Sequence, residues 1–313
     1  MKLVSIPANP VPDNAVTGCV TTPDGVNLRF ARWAPPPGRK GTVCLFPGRA
    51  EFIEKYFETV RDLQARGFAV AILDWRGQGL SDRGLSDRGK GHVKDFYEYG
   101  VDLDTFMEQV VLPDCPPPIY ALAHSMGAAV ILRAAHDGRR WFDRIVLSTP
   151  MLALGRAGVM RIAGPLARLM RLFGRGSAYI PRGEAVTSTQ GFIGNVLTSD
   201  PVRYARNVAV VEHEPALGLR SPTIAWADAA LRAMSKFANP SYAASIRQPI
   251  LMVAAGRDEV VSTPAIERFA GHLLAGSHLI LAGARHELLQ EQDHYRLQFW
   301  AAFDAFVPGT PMY

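Results

Sequence analysis

Apolar residues recur along the first half of the chain in runs too brief for helices: GTVCLF (41–46), FAVAIL (68–73), PIYALA (118–123) and RIVLST (144–149). They are rich in Val, Ile and Leu, the pattern of strands buried on both faces of a parallel sheet. Between them lie the amphipathic segments Glu51 to Arg66, Tyr97 to Val111 and Met126 to His136. Strand and helix in alternation predict an α/β fold, a mostly parallel central sheet with helices on both faces. Ahead of these, GCVTT and VNLRFARW flank Pro23-Asp24-Gly25, a turn signature that predicts an antiparallel hairpin at the sheet edge.

The alternation stops at Pro150 and resumes with PILMVAA (249–255), the helical stretch Thr263 to Leu274 and SHLILA (277–282). The chain therefore divides into a core, residues 1–150 and 241–313, and an insertion, residues 151–240, expected to be helical. Inside the insertion Pro165 can open a helix, and Gly164-Pro165 argues against a single helix reaching back to Arg161. At ~100° per residue, Leu166, Leu169, Met170 and Phe173 share one side of the segment that ends at Arg175, while Arg168, Arg171 and Arg175 share the other. The pentapeptide GLSDR occurs twice in succession (79–88), a tandem copy too short to imply a repeat fold.

Composition narrows the class. Of 313 residues, 48% are hydrophobic and 20% charged, which excludes a disordered, collagen-like or coiled-coil chain. No apolar run approaches the roughly 18 residues of a bilayer helix, and the opening MKLVSIPANPVP has Pro where a signal peptide has its apolar stretch. Cys19, Cys44 and Cys115 are an odd, sparse set without metal spacing, so neither a disulfide framework nor a zinc site is expected and the expected compartment is the reducing cytoplasm. The net charge is +5, yet residues 151–240 hold eleven basic residues against five acids and the remainder is nearly neutral. A basic segment of this kind suits a partner with an anionic surface, although solvated arginines are the commoner cause.

The most informative stretch for chemistry is Ala123-His124-Ser125-Met126-Gly127, between the run PIYALA and a helix opening with Gly127, Ala128 and Ala129. A serine on a sharp strand-to-helix turn projects its hydroxyl above the sheet edge, and the residues two before and two after must be small. The alternative is an ordinary serine helix cap. A serine nucleophile needs a base and an acid, in the order Ser, acid, His. Gly256-Arg257-Asp258-Glu259 and Gly283-Ala284-Arg285-His286-Glu287 follow the last two strands, where a parallel sheet places its site. Asp258 is the candidate acid, with Glu259 its rival, and His286 the candidate base, with the cap of the following helix as the plainer alternative. Met126 N–H at the helix N-terminus is one oxyanion donor, and Arg49 N–H, in the loop Phe46-Pro47-Gly48-Arg49-Ala50-Glu51, is the second unless that loop is a plain turn. Asp74-Trp75-Arg76-Gly77-Gln78-Gly79 reads as a structural turn, since its glycines do not have phosphate-loop spacing.

These motifs resemble the α/β-hydrolases, specifically the bacterial lysophospholipase and monoacylglycerol lipase branch. The resemblance covers nearly the whole chain and rests on PGRAEFIEKY (47–56), DWRGQGLSD (74–82), AHSMG (123–127), GRDEVVS (256–262), ARHELLQE (284–291) and LTSDPVRYARN (197–207). Ala123 stands where the family has the first glycine of its serine turn, and Pro47 where lipases have a histidine. The resemblance implies a helical cap over the site and a serine esterase acting on a lysophospholipid or monoacylglycerol, without metal or organic cofactor. Leu166, Leu169, Met170 and Phe173 are then expected to line an acyl channel, with Arg168 and Arg171 meeting phosphate head groups or an anionic membrane; nucleic acid is not an expected partner. Esterases of small esters, thioesterases, peptidases and a non-catalytic ligand-binding shell are the alternatives on the same fold.

Overall fold

The apolar runs of the first half form the centre of one eight-stranded sheet in the computed structural model, which describes residues 2–35, 40–155, 157–180 and 191–307, those of 157–163 without their side chains. Strands β1 (Ala15–Thr21) and β2 (Asn27–Trp33) make the hairpin around Pro23-Asp24-Gly25, where Gly25 takes φ +84°. Strand β2 pairs antiparallel with β4 (Ala69–Leu73). The others, β3 (Thr42–Phe46), β5 (Ile119–His124), β6 (Arg144–Ser148), β7 (Ile250–Ala255) and β8 (Gly276–Leu281), continue in parallel, in the spatial order β1-β2-β4-β3-β5-β6-β7-β8.

Alternate residues of the central strands enter opposite core layers, which is why those runs carry few polar positions, and these near their ends. On β3, Cys44 and Phe46 face one layer and Val43 and Leu45 the other; on β5, Ala121 and Ala123 oppose Tyr120 and Leu122. The first layer is covered by α2 (Tyr97–Phe106), α4 (Ser125–His136) and α9 (Thr263–Ala270), the second by α1 (Phe57–Ala65) and α10 (Asp293–Phe306). A π-helical turn carries α2 on into the single turn α3 (Leu112–Asp114). Each fully buried Val, Leu or Phe contributes about 1.5–3 kcal/mol, so the central strands are the rigid base on which the loops stand.

Between β6 and β7 run α5 (Ala157–Met170), α6 (Pro201–His213), α7 (Ile224–Phe237) and α8 (Pro240–Ala244). Two expectations fail here. Helix α5 passes through Pro165 instead of beginning there. The lost hydrogen bond to the Arg161 carbonyl costs about 3 kcal/mol in a helix interior, and packing of α5 on α7, with Leu231 against Gly164, offsets it. The regular helix also stops short of Arg175: Phe173 leaves helical geometry and Gly174 takes φ +76°, so Phe173 does not continue the apolar side extrapolated from Leu166. Arg156 and Arg182, and the side chains of Arg161 and Ile162, lie outside the described residues. Among the described residues no helix is long and apolar enough to cross a membrane.

Candidate active site

Strand β5 delivers His124 in extended geometry and the next residue, Ser125, adopts φ +49° as the first residue of α4. A left-handed non-glycine residue is strained and persists only where its surroundings fix it. Here the fixing contact is close backbone packing: a Cβ on Gly127 would stand 2.4 Å from the Phe46 carbonyl oxygen and 2.5 Å from that of Pro47. Only glycine lets α4 press against the loop after β3. Met126 lies in the first helical turn, where an N–H has no intrahelical acceptor.

The loops after β7 and β8 reach the same point. Ser125 Oγ lies 3.0 Å from His286 Nε2, and His286 Nδ1 lies 2.8 Å from Asp258 Oδ2. Asp258 is also a turn residue, since its Oδ1 accepts from the N–H groups of Val260 (2.8 Å) and Val261 (2.9 Å). Burial alone would raise its carboxyl, but the hydrogen bond and charge of His286, with those two N–H bonds, hold it below the ordinary carboxylate range. The neighbouring Glu259 is exposed. A serine hydroxyl, an imidazole and a buried carboxylate in this line can move one proton back and forth along the Ser125–His286 bond.

Sequence reading missed what holds the loop after β3. Gln78 Nε2 donates to the Gly48 carbonyl (2.7 Å), its Oε1 accepts from Ala50 N–H (3.3 Å), and Trp75 Nε1 donates to the Pro47 carbonyl (2.9 Å). The segment at 74–79 is thus a structural turn, as read, and also the brace of this loop. Gly48 N–H is taken by the Glu51 carboxylate, while Arg49 N–H makes no hydrogen bond to the described residues.

Beneath the loop sits a buried charge cluster. Lys55 Nζ bridges Glu51 (2.9 Å) and Glu287 (2.6 Å), and Tyr56 Oη donates to Glu51 (2.6 Å). Lys55 thereby ties the loop after β3 to the residue next to His286. Glu51 titrates low, at about 2: Lys55 and His124 favour its charge more than burial opposes it. His124, packed 4.8 Å from the His286 ring, is pushed down to about 4 by burial, so it is neutral at pH 7. Its Nδ1 lies 3.2 Å from Thr149 Oγ1, which donates to the His286 carbonyl. The signal for Glu51 and Lys55 was their four-residue spacing; nothing local points to Glu287, 232 residues from Lys55.

A cavity of about 730 Å³ opens over Ser125 and His286, with Met151, Leu154, Leu219, Trp226, Met234 and Val261 among its walls. Of the residues assigned to an acyl channel, Leu166 and Met170 line it. Leu169 and Phe173 are not among its walls, and are 52% and 77% exposed. Arg168 is also exposed, and Arg171 is tied to Asp228 on α7 at 2.7 Å. No group of three or more His, Cys, Asp or Glu among the described residues is placed to hold a metal ion.

A family model described as Serine aminopeptidase, S33 (Hydrolase_4) matches residues 37–293. Lysophospholipase L2 of Escherichia coli K12 is 33% identical over 287 residues, 87% of this chain and 82% of that protein. A probable lysophospholipase L2 of Haemophilus influenzae is 27% identical over 85% of this chain and 83% of its own length. Among solved structures, a soluble variant of monoglyceride lipase from Saccharomyces cerevisiae superimposes with a TM-score of 0.74 at 19% identity, covering 95% of each chain. A carboxyl esterase from Bacillus coagulans does so with a TM-score of 0.72 at 17% identity, over 94% of this chain and 98% of its own. At such identities the likeness of the structures is one of fold.

Proposed function

This chain belongs to the α/β-hydrolase family described as Serine aminopeptidase, S33, and we propose that it is a serine esterase that removes the single acyl chain of a lysophospholipid or monoacylglycerol. The observation that carries this reading is the hydrogen-bonded line Ser125–His286–Asp258 at the floor of a cavity with mostly apolar walls. Ser125 Oγ attacks the ester carbonyl as His286 Nε2 takes its proton, and Asp258 holds the tautomer and stabilises the imidazolium. Met126 and Arg49 N–H groups receive the developing oxyanion. Collapse expels the glycerol-bearing alcohol, protonated by His286; water activated by the same imidazole then releases the fatty acid.

The helices between β6 and β7 serve as a cap, with Leu166 and Met170 on the acyl side. An aminopeptidase reading finds less support. Glu51 and Glu287 are the acids lining the cavity among the described residues, and Lys55 engages both, which leaves no carboxylate for a substrate ammonium. The outer side of the cap supports contact with an anionic lipid surface. Leu169, Leu172 and Phe173 are exposed there beside Arg168 and Arg175, an apolar and basic combination suited to the membrane interface.

Fluorophosphonate labelling tests the centre of this reading. Ser125 should be modified stoichiometrically, and Ser125→Ala should lower turnover of any ester by at least ~10³-fold with the fold intact. Labelling elsewhere, or near-normal turnover, would sink it. Acyl glycerols, lysophospholipids, p-nitrophenyl esters and aminoacyl amides assayed in parallel separate the lipid reading from its rivals.

A further inference from the structure

The buried arginines of the core come with carboxylates. Arg29 pairs with Glu54 and Asp74, Arg76 with Asp24 and Asp102, and Arg296 with Glu58 and Asp62. Arg83 has no carboxylate, but three carbonyls, of Gly77, Gly79 and Ala216, occupy its two Nη groups. Arg49 has no carboxylate either, and its guanidinium meets a single carbonyl where that of Arg83 meets three. It lines the cavity over Ser125, and no ion pair among the described residues includes it. Its Nη2 donates to the Arg220 carbonyl, its guanidinium stacks 5.2 Å from the Trp226 ring centroid, and its buried Nε, like that of Arg83, has no acceptor among the described residues. Burial without a counter-ion pushes the group down to about 10.

An uncompensated charge near the reacting centre is costly unless a ligand supplies the missing partner. The other cation on the cavity floor, Lys55, is neutralised by two carboxylates, so it does not compete for an anion. Arg220 also lines the cavity, but its side chain is exposed and lies beside Gly89, so its carbonyl and not its charge is what meets Arg49. A guanidinium with free N–H donors matches the paired oxygens of a phosphodiester. In a lysophospholipid, three glycerol carbons separate the ester from the phosphate, a span comparable with the arginine side chain that begins at the proposed oxyanion loop. A neutral monoacylglycerol offers Arg49 hydroxyl oxygens as acceptors but no negative charge.

We infer that the Arg49 side chain is the receptor for the phosphodiester of the substrate head group, so that lysophospholipids are favoured over neutral monoacylglycerols of the same chain. The inference rests on the proposed esterase reading and names the substrate class of that site. A pin between the loop after β3 and the inserted helices is the competing role for Arg49, and it makes no distinction between substrates.

The test measures kcat/KM for short-chain, monomeric 1-acyl lysophosphatidylglycerol and 1-monoacylglycerol of identical acyl length, at constant ionic strength, in the wild type, Arg49→Met and Arg49→Lys. The wild type should favour the phosphodiester by at least about tenfold, and Arg49→Met should lower that ratio by about tenfold or more, chiefly through KM. Arg49→Lys, which keeps the charge and loses the fork, should retain part of it. Glycerol 3-phosphate should inhibit hydrolysis of the neutral substrate more strongly than inorganic phosphate does, and Arg49→Met should abolish the difference. Equal inhibition by the two would assign the site to free phosphate and overturn the head-group role. Equal loss on both lipids, with a lowered Tm, would make Arg49 a pin and also overturn it, as would a wild type that does not discriminate while hydrolysing both. Hydrolysis of p-nitrophenyl esters but of neither lipid would remove the lipid reading itself, and the inference with it.

Discussion

The sheet core and the inserted helices are held by different physics. Strands β3, β4, β5 and β7 are buried along their whole length, and their side chains enter two apolar layers. The insertion has a buried seam along α7, but much of its attachment is polar. Arg203 and Arg206 of α6 reach Glu58 of α1, Arg203 also pairs with Asp293, Arg232 pairs with Asp95, and Thr198 Oγ1 donates to the Gln290 carbonyl. Its outer surface leaves Leu172 76% and Phe173 77% exposed. A dry apolar core fixes positions to fractions of an ångström, whereas ion pairs near the surface contribute little and yield to salt and pH. The proposed reacting groups all stand on core loops, and the insertion supplies walls.

That contrast is sharpest at Asp258. Asp258→Asn should cost on the order of 10³ to 10⁴ in turnover by mis-setting the His286 tautomer, whereas Glu259→Gln, on an exposed neighbour, should cost less than about tenfold. Steady-state kinetics on one soluble ester decide this, and reversed losses would make Glu259 the acid.

Arg29→Met tests the core by stability. It would leave Glu54 and Asp74 as buried unpaired charges, a loss of about 3–5 kcal/mol. Asp74 also accepts from the N–H groups of Ile53 and Leu80, so the loop after β3 should loosen with it. Urea denaturation reads the loss, and a change below about 1 kcal/mol would contradict the account of the core.

Glu58→Gln addresses the seam between the two regions. Burial opposes the Glu58 charge, but Arg203, Arg296 and Arg206 outweigh it and lower the carboxyl from its ordinary 4.5 to about 2. A carboxylate lowered on folding stabilises fully above its unfolded value, and that contribution fades as pH falls through the folded one. The difference in denaturation midpoint between wild type and Glu58→Gln should therefore be full near pH 6 and shrink between about pH 4.5 and 2. A difference independent of pH would show that Glu58 acts by packing alone.

The smallest effect concerns the outer face of the insertion. Vesicles containing phosphatidylglycerol should bind the wild type at least about tenfold better than neutral vesicles at low salt, with the preference fading as salt rises. Arg168→Gln with Arg175→Gln should remove most of it and leave hydrolysis of a short soluble ester nearly unchanged. Arg171 is omitted because its bond to Asp228 makes it part of the α5–α7 seam. Equal binding to both vesicle types would reduce the basic face to a solubility feature.

The sequence by itself determined the elements whose signals are local. Runs such as FAVAIL and PILMVAA declare buried strands because a strand covered on both faces has no polar position to spare. AHSMG declares the serine turn because only small residues fit its neighbours, and the order of the serine, acid and histidine follows from which loops stand at the carboxyl ends of the strands. Tertiary structure alone decided which partners the buried charges acquire. Lys55 meets Glu287, Gln78 braces the loop carrying Arg49, and Arg49 itself is left without an acid, through contacts between residues far apart in the chain. It also decided that α5 runs through Pro165 and that Phe173 turns outward, because packing against α7 and the left-handed Gly174 outweigh local propensity and helical periodicity. Periodicity records what a residue needs from its neighbours in the chain, whereas a buried charge records what it meets across the fold.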